Sequence, residues 1–422
     1  MTVCGPLGAV RWRVFDARDS KPPTERQVCM DSQTSQLLTP EQREIQQLAR
    51  EFAMNEVLPI ANERDRHGED IPQELIDAMA QMGFFGIMLP ESSGGLGLGA
   101  LEYVLITEEL SRAWMSVGSI IRTSTLLPVG LDPVRRVELE KRAARGEYLG
   151  AFSISEAEAG SDVASLRCRA ERDGEEWVLN GAKMWCTYAD RADYIVLFAR
   201  TSPPPSPRKR HKGISAFLIE KERGTFPAGM VGSPVNKIGY FGWKTFELGL
   251  NDVRLPGSAL IGEEGDGFRA GMVSLEMARI HTAARAVGVA RGALEDAAAY
   301  AKQRVQFNEP IGDFQAIRFM LAKMSIDIEA ARAVTHNAAR LVDAGLPAAE
   351  AASVAKYFAS EMAERVTSDG LQIHGGAGYT FDVAAQRYWR DSRLTKIFEG
   401  TSQIQLRILS DALLGRVTRP ED

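Results

Sequence analysis

Residues 171–185 read ERDGEEWVLNGAKMW, and they decide the architecture because they interrupt a chain whose texture is otherwise helical. Asp173-Gly174 and Asn180-Gly181 are both strong hairpin-turn dipeptides, and they flank a short strand at 177–179. The stretches YIVLFAR (194–200), ISAFLIEK (214–221) and KTFELGLNDV (244–253) read as further strands. Between the first two lies TSPPPSPRKRHKG (201–213), a proline-rich basic loop. It reads as a solvated excursion between strands rather than a binding patch. A β region therefore spans about 151–265.

Both flanks are helical. Upstream, Thr39 is a candidate N-cap, with Pro40 at the first helical position and Gln42 completing a capping box. Ile45, Leu48 and Phe52 follow at helical spacing. A second helix is expected from Pro72 to Gly83, and the glycine-rich LPESSGGLGLGALEY (89–103) leads into a third at 101–112. Downstream, Val287, Ala290, Leu294, Ala298 and Ala301 form one apolar stripe. Phe314, Ile317, Leu321, Met324 and Ile328 form another, and Val354, Phe358, Met362 and Val366 a third. Gly345-Leu346-Pro347 separates the last two, and a fourth helix follows Ser402. The reading is mainly α with a central β domain. An N-terminal α-helical domain covers 39–150, a β domain 151–265 and a four-helix bundle 266–422. Residues 1–38 read as a disordered leader, with Met30 as an alternative start.

Composition narrows the function classes. A 422-residue chain with 45% hydrophobic and 25% charged residues has the balance of a globular protein, and a net charge of −6 argues against nucleic-acid binding. No apolar run is long enough to span a bilayer. Cys4, Cys29, Cys168 and Cys186 form no C-x-x-C pair, and the five histidines no H-E-x-x-H. Neither a disulfide framework nor a metal site is implied; a reducing, cytoplasmic setting is the default expectation.

Four clusters are candidates for chemistry. In FSISEAEAGSD (152–162), Gly160 and Ser161 allow close backbone approach to a ligand, although a strand-end turn explains them equally well. In KMWCT (183–187), Trp185 and Thr187 are two apart on a strand, so they would share a face suited to a flat ring; a core tryptophan is the plainer reading. LQIHGGAGYT (371–380) follows a helix, where paired glycines usually cap and turn. It lacks the G-x-G-x-x-G spacing and the preceding strand of a dinucleotide fold. KIFEGTSQIQ (396–405) sets Glu399 between Ile397-Phe398 and Gly400. In an apolar pocket such a carboxylate is a usable base near neutral pH; at a helix start it is merely well placed by the dipole.

Taken together, AGSD (159–162), NGAKMWCT (180–187), RVQF with FQAI (304–307 and 314–317), QIHGGAGY (372–379) and EGTSQIQ (399–405) resemble the acyl-CoA dehydrogenase family, over about 39–415. The resemblance implies an acyl-CoA dehydrogenase fold with a small β-barrel-like middle domain. It implies an FAD-dependent oxidoreductase of fatty acid β-oxidation that takes hydrogens from the α and β carbons of an acyl-CoA. Electrons would pass to an electron-transferring flavoprotein, and the assembly would be a homotetramer or homodimer. Glu399 would be the base that takes the α-proton while a hydride moves from Cβ to flavin N5, with its own backbone amide polarising the thioester carbonyl beside Gly400. Phe152, Ile154, Ser155, Gly160, Ser161, Trp185, Thr187, Thr401 and Gln403 would contact FAD. Arg304, Phe307, Gln315, Gln372, Gly375 and Gly376 would reach the FAD of a neighbouring subunit. Ser161, Arg279 and Gly400 would meet the substrate.

Some positions depart from the family pattern. Ala278 stands where some members carry the base immediately before the arginine, which leaves Glu399 as the candidate and Glu276 outside the chemistry. Asn308 replaces a usual glycine and must tolerate positive φ. Trp243 stands at a position expected to be smaller, either reshaping a route to the site or lying on the surface. Arg122 lies near the expected acyl pocket and is read as running out to solvent. The alternatives are a same-fold flavoenzyme reacting with oxygen, as an oxidase or monooxygenase, and a non-catalytic FAD-binding scaffold.

Overall fold

The computed structural model describes residues 37–126 and 130–415; the expected leader up to residue 36 and the alternative start at Met30 lie outside them. Helix α1 (Pro40–Phe52) begins with the expected capping box between Thr39 and Gln42. It continues through a π turn at Ala53–Val57 into α2 (Leu58–Arg66). Then come α3 (Gln73–Gln81), α4 (Ala100–Ala113), α5 (Met115–Ile120) and α6 (Pro133–Ala144). Asp132 caps α6 by accepting from the amides of Val134 and Arg135.

The β region contains β1 (Gly150–Ser153), β2 (Arg169–Asp173), β3 (Glu176–Thr187), β4 (Tyr194–Arg200), β5 (Ile214–Glu220), β6 (Met230–Pro234), β7 (Thr245–Pro256) and β8 (Leu260–Ile261). The order is β6-β7-β3-β2-β4-β5-β8, with β1 parallel to β4. It does not close among the described residues, so the middle region is an open sheet and not a barrel. The end strands β6 and β8 do not pair with each other, and at the centre β2 and β4 meet through the single parallel pair Arg169–Arg200.

The two turn dipeptides behave differently. Asp173 and Gly174 end β2 in a tight hairpin to β3. Asn180-Gly181 lies inside β3, where the register against β7 shifts between Leu179 and Gly181. Gly181 has φ 138°, and a Cβ there would lie 2.8 Å from the Cys168 Cα, so the glycine serves a bulge and a close crossing. A second irregularity, between Lys183 and Cys186, puts Trp185 at φ 67°. The strict alternation expected of Trp185 and Thr187 is broken there.

Helix α7 (Gly267–Gln303) is followed by the small hairpin of β9 (Val305–Gln306) and β10 (Glu309–Pro310), then α8 (Gln315–Asp343), α9 (Ala349–His374), α10 (Ala385–Leu394) and α11 (Ser402–Leu414). Phe307 and Asn308 form the hairpin loop at φ 54° and 67°, so Asn308 does take the conformation its position demands. Helices α7, α8, α9 and α11 are the four expected from the apolar stripes; the short α10 was not foreseen. Helix α7 packs chiefly on α9 and α4. One apolar core joins the N-terminal helices to the sheet, a second joins α4 to the bundle, and Met277 of α7 packs against both. The segment between α10 and α11 lies along this seam.

Candidate active site

Glu399 and Gly400 both have left-handed backbone, at φ 54° and 84°. A glutamate adopts that conformation only where its surroundings hold it. Gln405 Nε2 donates to the Glu399 carbonyl at 3.4 Å and the Gly400 carbonyl at 2.9 Å, and Lys356 Nζ of α9 donates to the Gly400 carbonyl at 2.7 Å. A Cβ on residue 400 would stand 2.7 Å from Gln405 Nε2, so a side chain there would strain the backbone and displace the amide that holds the turn. The Glu399 amide donates to no acceptor among the described residues. Thr401 caps α11 by accepting from the Ile404 amide at 3.3 Å, so its helix-start role is real.

The Glu399 carboxylate, about one-fifth exposed, is ion-paired with Arg122 from the 3-10 turn Ile121–Thr125. Arg122 therefore does not run out to solvent: it turns inward because a carboxylate waits there. Nor is the pocket an apolar sleeve. Ile397 is half exposed, and only Phe398 packs inward, its ring 5.9 Å from Tyr240. The Arg285 guanidinium lies 4.6 Å over the Phe398 ring and donates to Ser119 Oγ (2.9 Å), Tyr240 OH (3.2 Å) and Thr282 Oγ1 (2.8 Å). His281 contacts the Gly118 carbonyl at 2.9 Å through Nε2, and its ring is 5.2 Å from that of Tyr103. Trp243 is buried behind Tyr240, with ring centroids 5.4 Å apart, so it is a wall of this region and not a surface tryptophan.

Burial dominates the electrostatics. It lowers the pKa of Arg279, and Glu399 and Glu276 oppose it. It lowers that of Arg285, opposed by Tyr240 and Glu399, and brings Lys356 down to about 8. Burial and then the charge of Arg285 hold His281 well below its ordinary range, so it is neutral at physiological pH. Tyr103 is raised by burial, and Tyr240 is pushed up to about 12 for the same reason.

A second group assembles beside the sheet. The Met184 amide donates to the Ser155 carbonyl at 2.9 Å, and Lys183 Nζ reaches the Ile154 carbonyl (3.1 Å) and the Glu156 carboxylate (2.8 Å). The segment after β1 is thus fastened to the irregular part of β3. Phe152 packs on Phe198, and Thr187 Oγ1 meets Thr245 Oγ1 at 3.0 Å. Trp185 stays 56% exposed, and a Cβ on Gly160 would meet nothing, as Ser161 beside it lies open. An exposed indole beside open backbone suits a flat, hydrogen-bonding ring system. Gln403 is exposed in the first turn of α11.

The third group is remote. Arg304, Phe307 and Gln315 are exposed around the β9–β10 hairpin, and Gln372, Gly375 and Gly376 are exposed at the end of α9. His374 stacks on Tyr300 at 4.6 Å, which ties the two segments together. Residue 374 lies roughly 27 Å along α9 from Lys356 at 1.5 Å per residue. Within one chain these six residues are not brought to Glu399.

Comparison with known proteins gives the frame. Models of the acyl-CoA dehydrogenase N-terminal, middle and C-terminal domains match residues 39–132, 151–253 and 265–414. The chain belongs to the acyl-CoA dehydrogenase family. An acyl-CoA dehydrogenase of Bacillus subtilis is 40% identical, over 90% of this chain and 99% of the relative. A 3-(aryl)acrylate reductase of Clostridium sporogenes is 42% identical, over 88% and 97%. Among solved structures, butyryl-CoA dehydrogenase of Megasphaera elsdenii matches with a TM-score of 0.81 and 35% identity, over 89% of this chain and 99% of that one. A chain from a study of the electron-transferring flavoprotein of Acidaminococcus fermentans matches with a TM-score of 0.84 and 39% identity, over 90% and 99%. As a member of this family the chain is an FAD-dependent oxidoreductase, and the exposed Trp185 with the open backbone of Gly160, Gly375 and Gly376 fits that cofactor. No helix among the described residues is long and apolar enough to cross a membrane.

Sequence reasoning did not single out Tyr103, Tyr240, His281, Arg285 or Lys356. One signal was available: His281 and Thr282 stand four and three residues before Arg285 within the alanine-rich text of α7. Polar residues on a buried helix face mark a site.

Proposed function

We propose that the chain catalyses α,β-dehydrogenation of an acyl-CoA thioester to the trans-2-enoyl-CoA, with Glu399 as the α-proton base. The observation that carries this reading is the Glu399–Gly400 turn: a carboxylate aimed into a pocket of cations, with its own amide N–H left without an acceptor. That amide is a ready donor to the thioester carbonyl as negative charge develops on it. Gly400 leaves the approach open, and Lys356 and Gln405 fix the turn that aims both groups. Arg279 completes the substrate side. FAD, when bound, supplies the acceptor for the hydride that leaves Cβ. Phe152, Ile154, Ser155, Gly160, Ser161, Trp185, Thr187, Thr401 and Gln403 would hold it from this chain. Arg304, Phe307, Gln315, Gln372, Gly375 and Gly376 would hold it from a second copy, which accounts for their exposure and their distance from Glu399. The similarity to the Acidaminococcus chain supports an electron-transferring flavoprotein as acceptor. The likeness to an arylacrylate reductase favours a second reading with the same residues in reverse, Glu399 returning a proton to Cα.

The test is an anaerobic titration of the FAD-loaded protein with a panel of acyl-CoA thioesters. Bleaching of the flavin by one chain class, absent in Glu399→Gln, is the expected result. Undiminished bleaching in that variant would remove Glu399 from the chemistry.

A further inference from the structure

The charges around Glu399 do not balance. Arg122 and Glu399 form an ion pair, and Arg279, Arg285 and Lys356 all feel the Glu399 charge. Of the other carboxylates nearby, Glu276 faces Arg279, and Glu361 faces Lys356 and Lys396 and accepts from Ser402. Asp391 accepts from the Tyr240 amide, which leaves Arg285 without a bonded carboxylate among the described residues. Arg285 is the clearest case. It is 3% exposed, its three acceptors are all neutral hydroxyls, and its Nε has no partner. His281 Nδ1 is likewise buried without a partner. A buried guanidinium that bonds only neutral groups is costly unless an anion arrives to complete it.

Arg122 adds a second constraint. Its guanidinium holds Glu399 Oε1, so an anion that draws Arg122 away frees both carboxylate oxygens to take the α-proton. Because Arg122 reaches Glu399 directly, a carboxylate a few bonds beyond the α-carbon of a thioester held at Glu399 would come within reach of its guanidinium.

We propose that the acyl group ends in a carboxylate, as the mono-thioester of a short diacid, and that Arg122 is the residue that binds that carboxylate. This rests on Glu399 as the base. On binding, Arg122 exchanges the Glu399 carboxylate for that of the substrate and releases the base toward Cα. Arg285 and the Tyr240 hydroxyl stand behind the exchange and keep the pocket positive throughout.

Glutaryl-CoA and pentanoyl-CoA have acyl chains of equal carbon count and differ in a terminal carboxylate against a methyl. Flavin reduction is followed with both, and binding is measured separately in the Glu399→Gln protein from the perturbation of the flavin spectrum. Glutaryl-CoA is expected to exceed pentanoyl-CoA in kcat/KM by ~100-fold, since a site built to bond a polar group rejects the analogue lacking it. Arg122→Gln is expected to abolish or invert that preference, with Arg122→Lys intermediate. A wild-type preference for pentanoyl-CoA would overturn the proposal and leave the dehydrogenase reading intact. A glutaryl-CoA preference that survives Arg122→Gln would overturn it too. If neither thioester, nor any other in the panel, reduces the flavin, the base assignment fails and this inference fails with it.

Discussion

Arg122 and Glu399 form an ion pair although 277 positions separate them in sequence. The pair joins the 3-10 turn after α5 to the turn before α11, and both turns lie against the first core, through Ile121 and Phe398. Neither partner is on a regular helix or strand, so the scaffold sets the meeting by placing two turns opposite each other. The left-handed conformation at Glu399 is what points its carboxylate at Arg122.

Replacing Glu399 with glutamine keeps the shape and a hydrogen-bond acceptor for Arg122 but removes the base. Flavin reduction by acyl-CoA is expected to slow by about 10³-fold. FAD content and melting temperature are expected to change little. Rapid-mixing absorbance under anaerobic conditions measures the first, and a thermal melt the second.

Gly400→Ala tests the turn rather than the base. The added methyl would meet Gln405 Nε2 at 2.7 Å on a backbone already at φ 84°, so either the Gln405 amide leaves the turn or the turn shifts. The expected cost in stability is about 1–3 kcal/mol, read by denaturant titration. Turnover is expected to drop about 100-fold, because the Glu399 amide and carboxylate move together. A variant that melts lower and turns over normally would mean that the turn's geometry does not matter to the chemistry.

Much of this was legible in the sequence where the signal is local. The Thr39 capping box, the Asp173-Gly174 hairpin and the apolar stripes of α7, α8 and α9 are set by neighbours within a few residues. Asn180-Gly181 misled because the same dipeptide serves a tight turn and a β-bulge, and only the approach of Cys168 decides between them. The open sheet was hidden for a similar reason: strand text does not say whether the end strands β6 and β8 pair. Glu399 stood out by its flanking Gly-Thr-Ser. Its pairing with Arg122 depends on a contact no spacing encodes.

A buried charge network linking α4, α7 and α8 supplies a stability prediction. Glu108 of α4 accepts from Arg332 of α8 (2.7 Å) and Arg291 of α7 (3.3 Å). Burial alone would raise the Glu108 pKa, but the charge and hydrogen bonds of Arg332, then the charge of Arg291, bring it down to about 2. Its folded pKa lies below the unfolded value, so its contribution is complete above about pH 4.5 and is lost as pH falls toward 2. Glu108→Gln leaves those cations short of counter-charge and is expected to lose about 3 kcal/mol at pH 7. Denaturant titrations at pH 7 and pH 3 check both parts: the gap between variant and wild type should narrow in acid.

Asp391 of α10 gives the opposite sign. It is buried and accepts from the Tyr240 amide at 2.6 Å, with Asp65 close by. Burial, and then repulsion from Asp65, push its pKa up to about 7 against the attraction of Arg390 and Arg387. The folded protein therefore holds this proton more tightly than the unfolded chain. Stability from this group is complete below about pH 4 and declines as pH rises toward 7. The melting temperature is expected to fall between pH 5 and pH 8, and Asp391→Asn, which keeps an acceptor for the Tyr240 amide, should flatten that slope. Because Tyr240 also receives Arg285, the same variant is expected to shift the pH profile of flavin reduction; an unchanged profile would confine Asp391 to folding.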